Sequence, residues 1–137
     1  AYGQSKTAAS LLAIEVDKRM KDSGIRAFSV HPGGIITPLQ RHLEQEEMVA
    51  LGWMDKEGQP TELVAKMFKT VTQGASTSLW AATSPQLDDI GGVYCENCEV
   101  AAPTDDAENA RFIGVNDWAV DSEEASRLWD ETELMLS

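Results

Sequence analysis

The pattern of apolar and polar positions changes period once within the first thirty residues. From about Ser5 to Asp22 strong helix formers dominate, with Leu11, Leu12, Ile14 and Val16 set among alanines and charges, which predicts a helix. Ser23-Gly24 is its stop signal, because glycine readily takes the left-handed conformation that closes a helix. Ile25 to Val30 then alternates with β-favouring residues, and Pro32-Gly33-Gly34 ends the strand. Helix, tight turn, strand and glycine-rich loop are the second half of a βαβ crossover unit.

Pro38 to Gln59 is charged and apolar by turns, with Leu39, Leu43, Met48, Leu51, Trp53 and Met54 lying between Arg41, Glu44, Glu46, Glu47 and Asp55. It reads as short helices over a pocket, although a surface helical hairpin would give the same pattern. Pro60 suits the first position of a helix from about Thr61 to Lys69. Thr70 with Gln73 forms a capping box for another, whose face is Val71, Ala75, Leu79 and Ala82 and whose stop is Ser84-Pro85. Gly92 to Cys95 is a short strand candidate. Asp121 with Glu124 opens a final helix with Ala125, Leu128, Trp129 and Met135 on its apolar side. Four or five helices thus accompany two credible strands. A two-stranded parallel sheet is not a stable unit alone, so the strands read as pieces of a larger sheet.

Composition narrows the picture. The chain has 137 residues, 42% hydrophobic and 25% charged, enough for a core and for one domain. We expect a single partial domain over residues 1–137. No apolar run reaches the roughly 18 residues that a bilayer span needs, no signal peptide opens the sequence, and two cysteines make no secreted disulfide scaffold. A soluble, cytoplasmic protein is expected. Lys and Arg number 11 against 23 Asp and Glu, a net charge of −12. From Asp105 onward there are 10 acidic and 2 basic residues, so that tail carries −8 and reads as a solvated surface. With no basic stripe to track a phosphate backbone, nucleic acid is excluded as a partner.

Two constellations carry chemistry. Tyr2 and Lys6 lie four residues apart, on one face of a helix start. Tyrosine is a poor base at neutral pH, and a neighbouring lysine cation favours its phenolate, giving a proton donor and acceptor suited to carbonyl–alcohol interconversion. The same spacing also describes a plain solvated helical pair. One helix later, Val30-His31-Pro32-Gly33-Gly34-Ile35-Ile36-Thr37 leaves the carboxyl end of the strand, where α/β sheets bind ligands. Its glycines let the backbone approach a ligand, and Thr37 offers a hydroxyl; a structural turn with a helix cap is the alternative. Cys95 and Cys98 form a CxxC, but zinc wants four ligands, and the only histidines, His31 and His42, are remote in sequence. No metal site is expected.

In order and spacing, Tyr2-Gly3-Gln4-Ser5-Lys6, the His31-Pro32-Gly33-Gly34-Ile35-Ile36-Thr37 loop and Gly91-Gly92-Val93-Tyr94-Cys95-Glu96-Asn97-Cys98 resemble the short-chain dehydrogenase/reductase family, in its retinol-dehydrogenase-like and WW-domain-oxidoreductase-like branch. The resemblance covers the whole chain but only the carboxyl-terminal half of the family's fold. It implies an α/β architecture, half of a Rossmann-like doubly wound parallel sheet, helix-rich with about two strands here. Tyr2 would be the catalytic acid/base, and Lys6 would lower its pKa and bind the nicotinamide ribose of NAD or NADP. Pro32, Gly33 and Ile35 would flank the nicotinamide, with Thr37 reaching its carboxamide. Residues 38 to 60 correspond to the substrate-binding segment, whose apolar content suits a hydrophobic alcohol, aldehyde or ketone. The family's glycine-rich nucleotide turn, Asn-Ala-Gly segment, catalytic serine and catalytic asparagine belong ahead of Tyr2, so the isolated chain is expected to be inactive. A homodimer or tetramer is implied. The alternative is a non-catalytic module that keeps this half-fold and associates through its long helix.

Overall fold

A computed structural model describes residues 2–104 and 113–137; the start of the acidic tail, at Asp105, Asp106 and Glu108, lies outside the described residues. The chain divides into two compact units, one of residues 1–31 with 77–137 and the other of residues 32–76.

In the first unit, helix α1 (Tyr2–Met20) runs into a short 3-10 turn, Lys21–Ser23. Gly24 closes it with φ 76° and its N–H on the Lys21 carbonyl, as the glycine stop requires. Strand β1 (Phe28–His31) begins three residues later than the alternation suggests. The reason is Asp17, which takes the Arg26 guanidinium and the Ala27 N–H before the strand starts. β1 pairs in parallel with β2 (Val93–Glu96), Phe28 opposite Val93 and His31 opposite Glu96. A third strand, β3 (Glu99–Val100), pairs antiparallel with β2 and makes the order β1-β2-β3. Asn97 and Cys98 join them with φ of 50° and 60°, the two positive values that a two-residue hairpin turn demands. This is the expected α/β fold class, a helix-rich piece of a Rossmann-like sheet, with one antiparallel pair added.

Helix α5 (Ser122–Leu136) is capped by Asp121, whose Oδ1 accepts the Glu123 and Glu124 N–H groups at 2.8 and 3.0 Å. It packs on α1 through charge as much as through carbon. Glu15 accepts from Arg19 Nε at 2.7 Å, from Ser126 Oγ at 3.0 Å and from Lys18 Nζ at 3.3 Å, while the Arg19 guanidinium lies over the Trp129 ring. Leu11, Leu87, Cys95 and Ala125 are among the buried apolar residues of this unit. Met135, expected on the inner face of α5, is exposed, as are its neighbours Leu134 and Leu136. Trp118 is exposed too, so it does not share the helix-packing role of Trp129.

The second unit holds the loop after β1, a 3-10 turn at Pro38–His42, and helices α2 (Gln45–Ala50) and α3 (Glu62–Met67). Pro60 is not the first residue of α3: it bridges Met54, and Thr61 caps the helix instead. Helix α4 (Val71–Thr83) starts in this unit and ends in the other. Its capping box is complete, Thr70 N–H on Gln73 Oε1 at 2.9 Å and Gln73 N–H on Thr70 Oγ1 at 3.2 Å. The buried face of α4 is Gly74, Thr77 and Ala81, whereas Val71, Ala75, Leu79 and Ala82, expected to be buried, are exposed. Small residues won because the chain passes too close for large ones. A Cβ on Gly74 would land on the Ile35 side chain, and Thr77 Oγ1 takes the Cys98 N–H at 3.2 Å. No helix among the described residues is long and apolar enough to cross a membrane.

Candidate functional site

Tyr2 and Lys6 stand one turn apart at the start of α1, on one face. Lys6 Nζ lies 5.2 Å from the Tyr2 ring centroid, a cation held by a π face. The tyrosine is 73% exposed, so its hydroxyl is open to a reactant. Local bonds stiffen the turn that carries them: Ser5 Oγ donates to the Tyr2 carbonyl at 2.7 Å and Thr7 Oγ1 to the Gly3 carbonyl at 3.2 Å. No acidic residue occupies the first turn.

The other predicted site residues, Pro32, Gly33, Ile35 and Thr37, belong to the second unit. Gly33 has φ +89°, a value that favours glycine, and an added Cβ would meet Lys69 Cδ at 2.8 Å. A Cβ on Gly34 would meet the Phe68 ring at 2.9 Å, and the Lys69 N–H donates to the Gly34 carbonyl at 2.8 Å. Thr37 caps the Pro38–His42 turn. Its Oγ1 accepts the Leu39 N–H at 3.2 Å and donates to Gln40 Oε1, while Gln40 Nε2 returns a bond to the Ile35 carbonyl at 2.9 Å. The helix-cap alternative for this threonine is therefore realised in its geometry. The Trp53 and Phe68 rings meet edge to face at 5.6 Å, which ties the 38–60 segment to the residue covering Gly34.

Sequence reasoning missed Glu96. Paired with His31 at the carboxyl ends of β1 and β2, it is buried, accepts the Gly114 N–H at 2.6 Å through Oε1, and has Oε2 at 4.0 Å from His31 Nδ1. Burial, and then the Glu96 charge, push the Tyr94 phenol above its ordinary range. Strand register brings these residues together, and nothing local in the sequence marks them. Cys95 and Cys98 are both free thiols, and burial pushes the Cys95 thiol up, opposite to a redox cysteine. Among the described residues no cluster of three or more His, Cys, Asp or Glu is placed to hold a metal ion.

No family model matches the chain. It is 36% identical over 137 residues, its full length, to a short-chain dehydrogenase/reductase, prx1, of Penicillium roqueforti, of which it spans 38%. It is 41% identical over 130 residues to a probable oxidoreductase of Streptomyces lividans, covering 95% of this chain and 42% of that one. Retinol dehydrogenase 12 of Mus musculus is 30% identical over 130 residues, 95% of this chain and 34% of its own. The chain thus spans less than half of each of these curated relatives. Taken with the partial α/β fold, they show that the chain matches a carboxyl-terminal segment of the short-chain dehydrogenase/reductase family, with a retinol dehydrogenase among its relatives.

Proposed function

We propose that the chain is the catalytic, carboxyl-terminal part of an NAD(P)-dependent oxidoreductase that interconverts an alcohol and a carbonyl, inactive on its own. The observation that carries this reading is the Tyr2–Lys6 pair, an exposed phenol with an ammonium 5.2 Å from its ring. Tyr2 Oη gives its proton to a carbonyl oxygen in reduction and takes one from a hydroxyl in oxidation. Lys6 places a positive charge beside that phenol and donates to the nicotinamide ribose. Pro32, Gly33 and Ile35 flank the nicotinamide, and the Thr37 hydroxyl turns from Gln40 toward the carboxamide. An exposed lysine donor, the exposed Pro32 and the Thr37 hydroxyl fit the nicotinamide end of such a cofactor. When bound, the dinucleotide supplies or accepts the hydride. Residues 38 to 60, with Met48, Leu51 and Trp53, take a hydrophobic alcohol, aldehyde or ketone. In this reading residues 1–137 form one partial domain of a cytoplasmic homodimer or tetramer.

Calorimetric titration of NAD(H) and NADP(H) tests the reading, with the 137-residue chain beside the same protein extended upstream. Binding by the extended form alone is the expected result. Tight binding by the short chain would contradict its inactivity, and binding by neither would remove the cofactor. In the extended protein Tyr2→Phe should lower kcat by at least about a hundredfold, the low end for a lost acid/base group, without moving the unfolding midpoint.

A second reading, a non-catalytic module that associates through its long helix, is favoured by one observation. Between α1 and α5 lies an apolar groove of about 640 Å³, lined by Ala8, Ala9, Leu12, Leu128, Trp129 and Leu136. Light scattering after size exclusion tests that reading: a stable monomer at all concentrations would count against it.

A further inference from the structure

The loop that leaves β1 has two consecutive glycines and therefore little intrinsic order of its own. A ligand-contacting loop needs its backbone fixed, and here two side chains from the α3–α4 junction supply that. The Lys69 stem occupies the space a Gly33 side chain would take, with Cδ at 2.8 Å, Cε at 3.0 Å and Nζ at 3.2 Å from the ideal Cβ position. The Phe68 ring does the same at Gly34, with Cδ1 and Cε1 at 2.9 Å. Between them the Lys69 N–H closes a 2.8 Å bond to the Gly34 carbonyl. Further along, Ile35 fills the space over Gly74.

We propose that Phe68 and Lys69 are positioning residues that clasp the Gly33-Gly34 backbone and so set where the nicotinamide cofactor sits. This rests on the reading above, in which the loop flanks that cofactor. Phe68 also carries the Trp53 ring on its edge, so the substrate-binding segment and the cofactor loop lean on one side chain. The Lys69 atoms nearest Gly33 are its methylenes, so the stem is the part that holds the loop. Gly34 lies outside the left-handed region, so an alanine there meets one obstacle, the Phe68 ring.

Two experiments test the clasp. In the 137-residue chain, Gly34→Ala should speed hydrogen exchange at the Lys69 amide about tenfold, and under about twofold when added to Phe68→Ala, the non-additivity of groups in contact. Equal effects in both backgrounds would overturn the clasp. In the upstream-extended protein, with octanal and NADH or NADPH as probes, Phe68→Ala and Lys69→Ala should lower kcat/KM for the cofactor by about 10- to 100-fold, the scale of a misplaced reactant. The octanal KM should stay within about twofold. Lys69→Arg, which keeps a stem and the charge, should retain most of the activity, and Lys66→Met, on an exposed helix position paired with Glu62, should leave it unchanged. Wild-type turnover unaffected by Phe68→Ala and Lys69→Ala overturns this inference alone. No cofactor binding and no turnover in the wild-type extended protein overturns the underlying reading instead.

Discussion

On α1 the least exposed side chain is Glu15, at 1%, with Asp17 close behind, while Leu12 on the same helix is half exposed. On α4 the deepest is Thr77, at 0%, beside Gly74 and Ala81, while Val71 and Leu79 are 68% and 64% exposed. Two helices of one chain thus bury charge in one case and small polar or near-bare residues in the other. Each choice answers a neighbour. The carboxylates of α1 are buried because cations reach them: Arg26 grips Asp17 with Nε at 2.8 Å and Nη2 at 3.1 Å, and Arg19, Ser126 and Lys18 surround Glu15. α4 instead has the Ile35 side chain and the Cys98 N–H close against it, and only small residues fit. Burial here follows pairing and close approach, and hydropathy comes second.

The largest effect should come from crowding the α1 ion pair. A Cβ on Gly91 would land on Asp17 Oδ1 and on the Arg26 guanidinium, so Gly91→Ala must push the pair apart. Overpacking by a methyl costs about 1–3 kcal/mol, and the loss should sit toward the upper end because the buried Asp17 would lose hold of its cation. Urea unfolding measures it; a cost under about 1 kcal/mol would mean the pair relaxes into solvent freely.

Glu15 should matter less, because Lys18 and Arg19 reach it from the surface, 57% and 40% exposed. Glu15→Gln should cost about 2 kcal/mol at neutral pH. Burial pushes the Glu15 carboxyl up, but hydrogen bonds from Arg19, Ser126 and Lys18 outweigh it and hold the group below its ordinary range. Asp17 is held low as well, chiefly by the Arg26 guanidinium, against burial. Both native carboxyls thus bind protons less readily than in the unfolded chain. Their contribution is complete above the ordinary carboxylate range and fades as pH falls through it toward the lowered native values. Glu15→Gln should flatten that acid limb, and an unchanged limb would sink the assignment.

These contrasts show what the sequence discloses and what it hides. Thr70 with Gln73, Asp121, Gly24 and Ser84-Pro85 were legible because a cap or stop is chemistry between residues a few positions apart. The Tyr2–Lys6 face was legible for the same reason. The buried face of α4 was not, since it is set by Ile35 and Cys98, far away in sequence. β3, two residues long, carries no period at all. Glu96 beside His31 needed the strand register, and Phe68 over Gly34 needed the path of the chain between α3 and α4.

On α4, Gly74→Ala should be the stronger of two further substitutions, because the Ile35 side chain must move to admit a methyl. Overpacking of that kind costs about 1–3 kcal/mol, and the flexible end of Ile35 places it near the lower value. Ile35→Val in the same chain should return part of the loss.

The smallest effect tests the other side of that helix. Val71→Ser and Leu79→Ser replace side chains that the helix presents to solvent, and surface changes of this kind stay within about 0.5 kcal/mol. If so, the apolar side chains of Val71 and Leu79 contribute little to this chain's own fold, and the small residues form the packing face of α4. A larger loss that grows with protein concentration would have a different cause. Folding would then be linked to association through that stripe, because a partner bound only by the folded state adds stability by mass action. Concentration-dependent unfolding curves of the double variant and the parent chain separate the two cases.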